Sequence, residues 1–344
     1  MITYIASLKF ILKNFVAYSL YYTGILFIIK NYKLKNKTVV LTYHRVLPDD
    51  DFANSFSNPG IVVKPETFAR NLKFLKKHFN VISSIDIKST LQPASDNNKK
   101  KCVITFDDGW IDNYLYALPI IREFNLPVTL FLPIDYIGTG QLFWQEQIGR
   151  ILYQLYQTEM EPCNEVLDEL QITTIRDSSP SQVRENILKV VSQLKQKPYP
   201  ELEKIIQKLQ AAVDTSKYEH IDRYIEWEQA RKMQAHGLYL GSHACSHRIL
   251  TRLDTDTISK ELQLSAETIE QYTGLKPLVI AYPNGDSNEA VQRAAFDAGY
   301  EIGFTTQPGY VSSSDNALEL KRINLHEKKA ANSPLLMMSI LGYI

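Results

Sequence analysis

The chain alternates between two patterns of apolar positions. Near-continuous apolar runs, the pattern of strands buried on both faces, occur in KTVVLTYHRV (Lys37 to Val46), CVITF, PVTLFL, GLYL, PLVIAYP and YEIGFTT. NVISSIDI returns as a further strand. Between the runs lie segments of helical period. PETFARNLKFLKKHF sets Phe68, Leu72 and Leu75 on one face, and IDNYLYALPIIREF and EWEQARKMQAH read as helices. TDTISKELQLSAETIEQYTG and EAVQRAAFDAG do too, closed by Gly274 and Gly299. Alternating strand and helix predict parallel strands joined by crossover helices, in a doubly wound sheet or a barrel.

Two regions depart from this rhythm. From about residue 141 to 224 strand signals all but vanish. SPSQVRENILKVVSQL predicts a helix with a Ser179 cap, Pro180 in its first turn, and Val183, Ile187, Val190 and Leu194 on one face. YPELEKIIQKLQAAV follows with Leu202, Ile205, Leu209 and Val213. This reads as a helical insertion in one βα connection, of the kind that shapes or covers a cleft. At the other end, Asn14 to Ile29 carries no charge, with Lys9 and Lys13 before it and Lys30, Lys33, Lys35 and Lys37 after it. The run is shorter than the ~20 residues of a comfortable bilayer span. Tyr18, Tyr21 and Tyr22 suit the headgroup level, and no small-residue cleavage site follows. Residues 1–37 therefore read as a hydrophobic, membrane-associated helix ahead of a domain over 38–344, against the alternative of a helix packed on that domain. If the helix spans, the heavier lysine cluster after it keeps the domain cytoplasmic.

Composition adds mainly exclusions. Lys+Arg and Asp+Glu balance at 38 each, which removes the electrostatic argument for nucleic-acid binding. Cys102, Cys163 and Cys245 lack CxxC spacing and read as reduced thiols.

The chemistry concentrates in a few strand ends. CVITFDDGW, Cys102 to Trp110, places two aspartates at the tip of a buried strand. Asp-Asp-Gly is turn chemistry, but it also offers one carboxylate for a metal and another for a proton. GSHACSHRIL supplies His243 and His247, four apart after another strand, so a helical turn would bring both imidazoles to one face. Strand C-terminal ends are where α/β barrels assemble their sites. Two histidines and one carboxylate suit Zn²⁺ or another divalent ion, Co²⁺ and Ni²⁺ included.

TFDDG, then HxxxH, then a strand ending in proline and glycine resembles the polysaccharide deacetylases, carbohydrate esterase family 4, with the NodB homology domain. The resemblance covers roughly Val39 to Leu325 and implies a distorted (β/α) barrel. It implies that Asp107 is the catalytic base and that Asp108, His243 and His247 hold the metal. In AYPNGD it implies that the backbone N–H of Asn284, where a tyrosine is usual, helps hold the oxyanion. The family's arginine two residues before that proline is replaced by Ala281. Arg322, in LKRINL, is the replacement on offer, or else a surface ion pair. The family's Leu-x-His survives only as Leu325 directly before His326, so the general acid is expected at His44, which ends the first strand, as in permuted relatives. The implied reaction removes N-acetyl groups from amino sugars of a polysaccharide or lipid-linked glycan. Its rivals are an amidohydrolase acting on a small amide and a non-catalytic glycan-binding relative.

Overall fold

The structure, a computed structural model, describes residues 2–91, 100–158, 167, 168, 170, 172, 175, 177–179, 182–212 and 221–344. Pro180, Val213, Cys163 and the side chain of Lys9 lie outside what is described. The chain divides into two compact units. The first comprises Met1–Pro48, Pro59–Thr139 and Tyr224–Ile344, and the second Asp49–Asn58 with Gly140–Arg223.

The first unit is built on parallel strands: β1 (Val39–Tyr43), β4 (Asn80–Val81), β5 (Lys101–Phe106), β6 (Val128–Leu132), β7 (Leu238–Ser242), β8 (Val279–Ala281), β9 (Ile302–Phe304) and β10 (Ile323–Asn324). They pair in the order β10-β1-β5-β6-β7-β8-β9, with β4 beside β5, as a curled, incomplete barrel. A separate parallel pair joins β2 (Arg45–Val46) to β3 (Val62–Val63). Two expected strands come out differently. The first apolar run stops at Tyr43 and resumes at Arg45 in the second sheet, so His44 stands at a break between sheets. NVISSIDI yields only the short β4, and Ile85–Thr90 coils into a 3-10 helix.

Register decides which side chains meet. Val40 pairs with Val103 and Thr42 with Thr105. Side chains alternate along a strand, so Val40, Thr42 and the following His44 share a face with Val103, Thr105 and the following Asp107. On that face Val40, Val103, Phe131, Val279, Ala281, Ile302 and Phe304 form a buried cluster. Gly241 on β7 leaves room for it: a Cβ there would stand 2.6 Å from the Phe131 ring and 2.8 Å from Val279.

The crossover helices are α4 (Pro65–His78), α5 (Leu118–Phe124), α9 (Trp227–Ala235), α10 (Thr255–Thr273) and α11 (Glu289–Asp297). In α4, Phe68, Leu72 and Leu75 are buried. At the N-terminus α1 (Ile2–Tyr22) and α2 (Ile25–Lys33) pack on the C-terminal α13 (Ser333–Ile340) and on α4, after the short α12 (Glu327–Ala330).

The second unit holds α3 (Asp49–Asn54), α6 (Trp144–Thr158), α7 (Val183–Leu194) and α8 (Tyr199–Ala212). Its core includes Ile187, Val190 and Leu194 from α7 and Leu202, Ile205 and Leu209 from α8. Helix α7 begins at Val183, and the Ser179 hydroxyl donates to the Gln182 side chain.

Gly241→Ala should destabilise the fold by about 1–3 kcal/mol, the usual cost of overpacking. Urea unfolding of the variant checks this, and an unchanged midpoint would show that β7 can yield.

Candidate active site

Strand β5 delivers its two carboxylates to different tasks. Asp107 continues the inward alternation and is buried; Asp108 follows at φ 77 and Gly109 at φ 69, so the backbone turns sharply through the left-handed region. The turn and the paired carboxylates are thus the same feature.

Asp107 meets Arg322. The guanidinium donates from both terminal nitrogens to the two carboxylate oxygens, each at 2.7 Å. Its Nε donates to the Thr305 carbonyl at 2.9 Å, and its plane lies over Phe131 and Phe304. Arg322 is 1% exposed, so the surface ion-pair alternative is overturned. Burial opposes the Asp107 charge, but Arg322 foremost, then His243 and His44, hold its carboxyl below the usual range. His44 Nε2 stands 3.8 Å from Asp107 Oδ2, as the β1–β5 register requires, and Asn113 holds the His44 carbonyl at 2.8 Å.

Asp108, His243 and His247 each offer one ligand atom, all within 4.8 Å of one another. Asp108 Oδ1 lies 3.4 Å from His243 Nε2 and 3.4 Å from His247 Nε2. Atoms that each bind one Zn²⁺ ion at ~2.0–2.2 Å in tetrahedral directions stand ~3.3–3.5 Å apart, so the trio fits such an ion. The outward ring nitrogen of His243, Nδ1, meets the Ala281 carbonyl at 2.6 Å, which leaves Nε2 to face the ligand point. Burial disfavours charge on Asp108, yet His243, His247 and His44 keep its carboxyl low, and the Asp108 carboxylate in turn raises His243 against burial.

The two histidines do not ride on a helical turn, contrary to the spacing argument. Residues 243–249 form a loop with Ala244 at φ 59 and His247 at φ 54. Glu261 of α10 secures that loop, accepting from the Cys245 and Ser246 N–H groups at 2.9 Å each and from the Ser246 hydroxyl.

A second layer stands behind Asp108. Trp110 Nε1 donates to Asp108 Oδ2 at 3.0 Å, and its ring stacks on Tyr224 at 4.5 Å. Arg45 lies 4.2 Å over the same indole and pairs with Asp112, its Nε donating to Oδ2 at 2.9 Å. The Val46 N–H donates to the other Asp112 oxygen at 2.7 Å. Burial pushes Asp112 up against both. The chain enters α5 through a π turn, Asn113–Ala117, and π turns recur at functional sites. Trp110, Asp112, Arg45 and Glu261 were not singled out from the sequence. Arg45 directly after His44, and Trp110 directly after the glycine, were the available signals.

Asn284 follows β8 at the same end of the sheet, at φ 60, its carbonyl accepting from Thr306 and its side chain donating to Asp286 at 2.8 Å. His326 instead stands directly before α12, in extended conformation. Strand alternation does not govern its direction, because β10 stops at Asn324. Burial, then Lys329, Lys328 and Lys13, lower its pKa to about 4.

This is the architecture of a deacetylase barrel, with acid and histidine residues gathered at the strand ends. The chain belongs to the polysaccharide deacetylase family: that family's model matches residues 94–303, more than half of its length. It is thus a hydrolase of the deacetylase type. YxkH of Bacillus subtilis, provisionally named a polysaccharide deacetylase, is 29% identical over 292 residues, 84% of this chain and 71% of its own. Two solved structures share the fold. The Streptococcus pyogenes deacetylase PplD, in complex with acetate, has a TM-score of 0.57 at 19% identity over 88% of this chain and 98% of its own. IcaB from Ammonifex degensii has a TM-score of 0.55 at 16% identity over 90% and 98%. His44 and Arg322 both lie outside the residues matched by the family model.

Trp110→Phe keeps a stacked ring but removes the donor to Asp108. Metal affinity, measured by competition with a chelator, should fall roughly 10–100-fold with the fold intact. Unchanged affinity would remove Trp110 from any part in the site.

His326 gives a second expectation. Its folded pKa lies below the ordinary 6.5, so between about 4 and 6.5 the unfolded chain binds a proton that the fold excludes. Its neutral form therefore gives full stability above pH 6.5, with loss as pH falls toward 4. His326→Gln should flatten that part of a melting-temperature profile, and a variant with the wild-type slope would assign the slope elsewhere.

Proposed function

We propose that the protein removes N-acetyl groups from amino sugars of a glycan, with Asp108, His243 and His247 holding a divalent cation. The observation that carries this reading is the convergence of those three residues beside an arginine-paired carboxylate. When bound, the ion supplies a Lewis acid and acidifies water, which matters because a carboxylate held as low as Asp107 is a weak base.

The chain's own residues divide the remaining work. Asp107, ionised by its pairing with Arg322, takes a proton as a water O–H bond breaks and the water oxygen bonds to the acetyl carbonyl carbon. The Asn284 backbone N–H faces the oxyanion that develops there. His44 gives its proton to the sugar nitrogen as the C–N bond breaks, so that acetate and a free amine leave. An imidazole suits this because it exchanges protons near neutral pH. Its closeness to Asp107 supports the assignment, as does the lysine-ringed position of His326.

Asp107→Asn should retain metal and lose turnover by roughly 10²–10⁴-fold. Measuring acetate release alongside metal content decides this: a variant with near wild-type rate, or one that has lost its metal, refutes the role. Asp108→Ala should lose metal and activity together. His44→Ala should lower turnover strongly with metal retained, while His326→Ala leaves it near wild type at neutral pH; the reverse result exchanges the two histidines. Acetate release from N-acetylated oligosaccharides, abolished by chelator and restored by Zn²⁺, tests the activity itself.

A further inference from the structure

The N-terminal helices reverse the usual partition of polar and apolar side chains. On α1 the outward face carries Phe15 at 68% exposure and Tyr22 at 76%, with Leu12, Val16 and Tyr18 also exposed. On α2 Ile28 is 71% exposed and Tyr32 87%, whereas Lys30 is turned inward and is 8% exposed. Lys30 donates to the His78 carbonyl at 3.2 Å and lies over the Phe27 and Phe79 rings. A helix in contact with water would do the opposite.

The inward faces are committed. Ala17 and Leu26 are fully buried, Tyr21 packs by Phe74, Phe27 packs by His78, and Asn14 accepts from Asn332 at 3.4 Å. Among the described residues no single helix is long and apolar enough to cross a membrane. Leu12–Tyr22 and Ile25–Lys33 qualify only as a pair bent by 82°. Threading that pair through a bilayer would strip every contact just named. The apolar side that remains is therefore open to something lying against it.

Charge indicates what that is. The first 48 residues contain six lysines and no acidic residue, and their one arginine, Arg45, is buried against Asp112. Lys35 and Lys37, directly after α2, are exposed, and Lys33 reaches the Leu341 carbonyl. Exposed tyrosines beside aliphatic side chains, with lysines at the margin, match the layering of a lipid interface. We propose that the outer face of the bent α1–α2 pair lies flat on an anionic lipid surface. Lys35 and Lys37 meet the headgroups, while Phe15, Ile28 and their neighbours enter the acyl boundary. This inference is independent of the proposed catalytic roles.

Sedimentation of the full chain with lipid vesicles tests it. The protein should pellet with vesicles of phosphatidylcholine containing phosphatidylglycerol, and bind at least ten-fold less to phosphatidylcholine alone. Phe15→Ser combined with Ile28→Ser should lower binding to the anionic vesicles at least ten-fold, with circular dichroism unchanged. Lys35→Glu with Lys37→Glu, at exposed positions after the helix, should also weaken binding and abolish its salt dependence. Equal binding of wild type and both variants overturns the proposal, as does equal binding to neutral and anionic vesicles. A stable dimer by light scattering that the Phe15→Ser, Ile28→Ser variant dissociates, with no vesicle binding by the wild type, assigns the face to a second copy instead.

Discussion

The site depends above all on the buried, two-pronged contact between Arg322 and Asp107. A carboxylate with almost no solvent contact would give up its charge if left alone, because burial raises its pKa. The guanidinium reverses that balance, and its other nitrogen is held by the Thr305 carbonyl so that it cannot swing away. Removing one partner of such a pair leaves an uncompensated buried charge, at a cost of about 3–5 kcal/mol. Stability and the ionisation of Asp107 are thus coupled through one contact. Phe131 and Phe304 beneath the guanidinium extend the coupling into the core of the curled sheet.

Around this pair the backbone is bent against its preferences. Asp108, Ala244, His247 and Asn284 all occupy the left-handed region, which residues with a Cβ enter at a cost. That geometry persists because neighbours fix it. Glu261 gathers the N–H groups of the histidine loop, and Trp110, clasped between Arg45 and Tyr224, holds Asp108. The buried charges of Arg45 and Asp112 cancel one another at the back of the site rather than within it. Held in this way, Asp108 and the histidine loop have little freedom to reorganise, which is the condition for electrostatic preorganisation.

How far the sequence revealed this depended on whether the information was local. Strands and helices with clean period, such as β5, β6, α4 and α10, could be read directly, because pattern and burial report the same face. TFDDG and HxxxH marked Asp107, Asp108, His243 and His247 because the motifs are compact. The loop conformation between the histidines was not legible: i,i+4 spacing fits a helical turn and a left-handed loop equally well, and the carboxylate that secures the loop, Glu261, stands on α10 outside the motif. Arg322 could be nominated but not placed, since its partner is set by the register of β10 against β1. Trp110 and Arg45 stood in plain view beside marked residues, yet their stacking is a tertiary fact. NVISSIDI read as a strand because β-branched residues dominate it, but only its start finds a partner in β5.

The pairing of β10 with β1 joins the two ends of the sheet-forming chain, with Leu41 opposite Ile323. This imposes an order of events during synthesis. The residues proposed to hold the ion have all been made by His247, but Glu261 and the Ala281 carbonyl, which fix the histidines, follow them. Arg322 emerges later, and until it does Asp107 has no guanidinium to oppose the cost of its burial. The Asp107 pair can therefore be completed only once β10, the last strand of the sheet, has been made and has paired with β1.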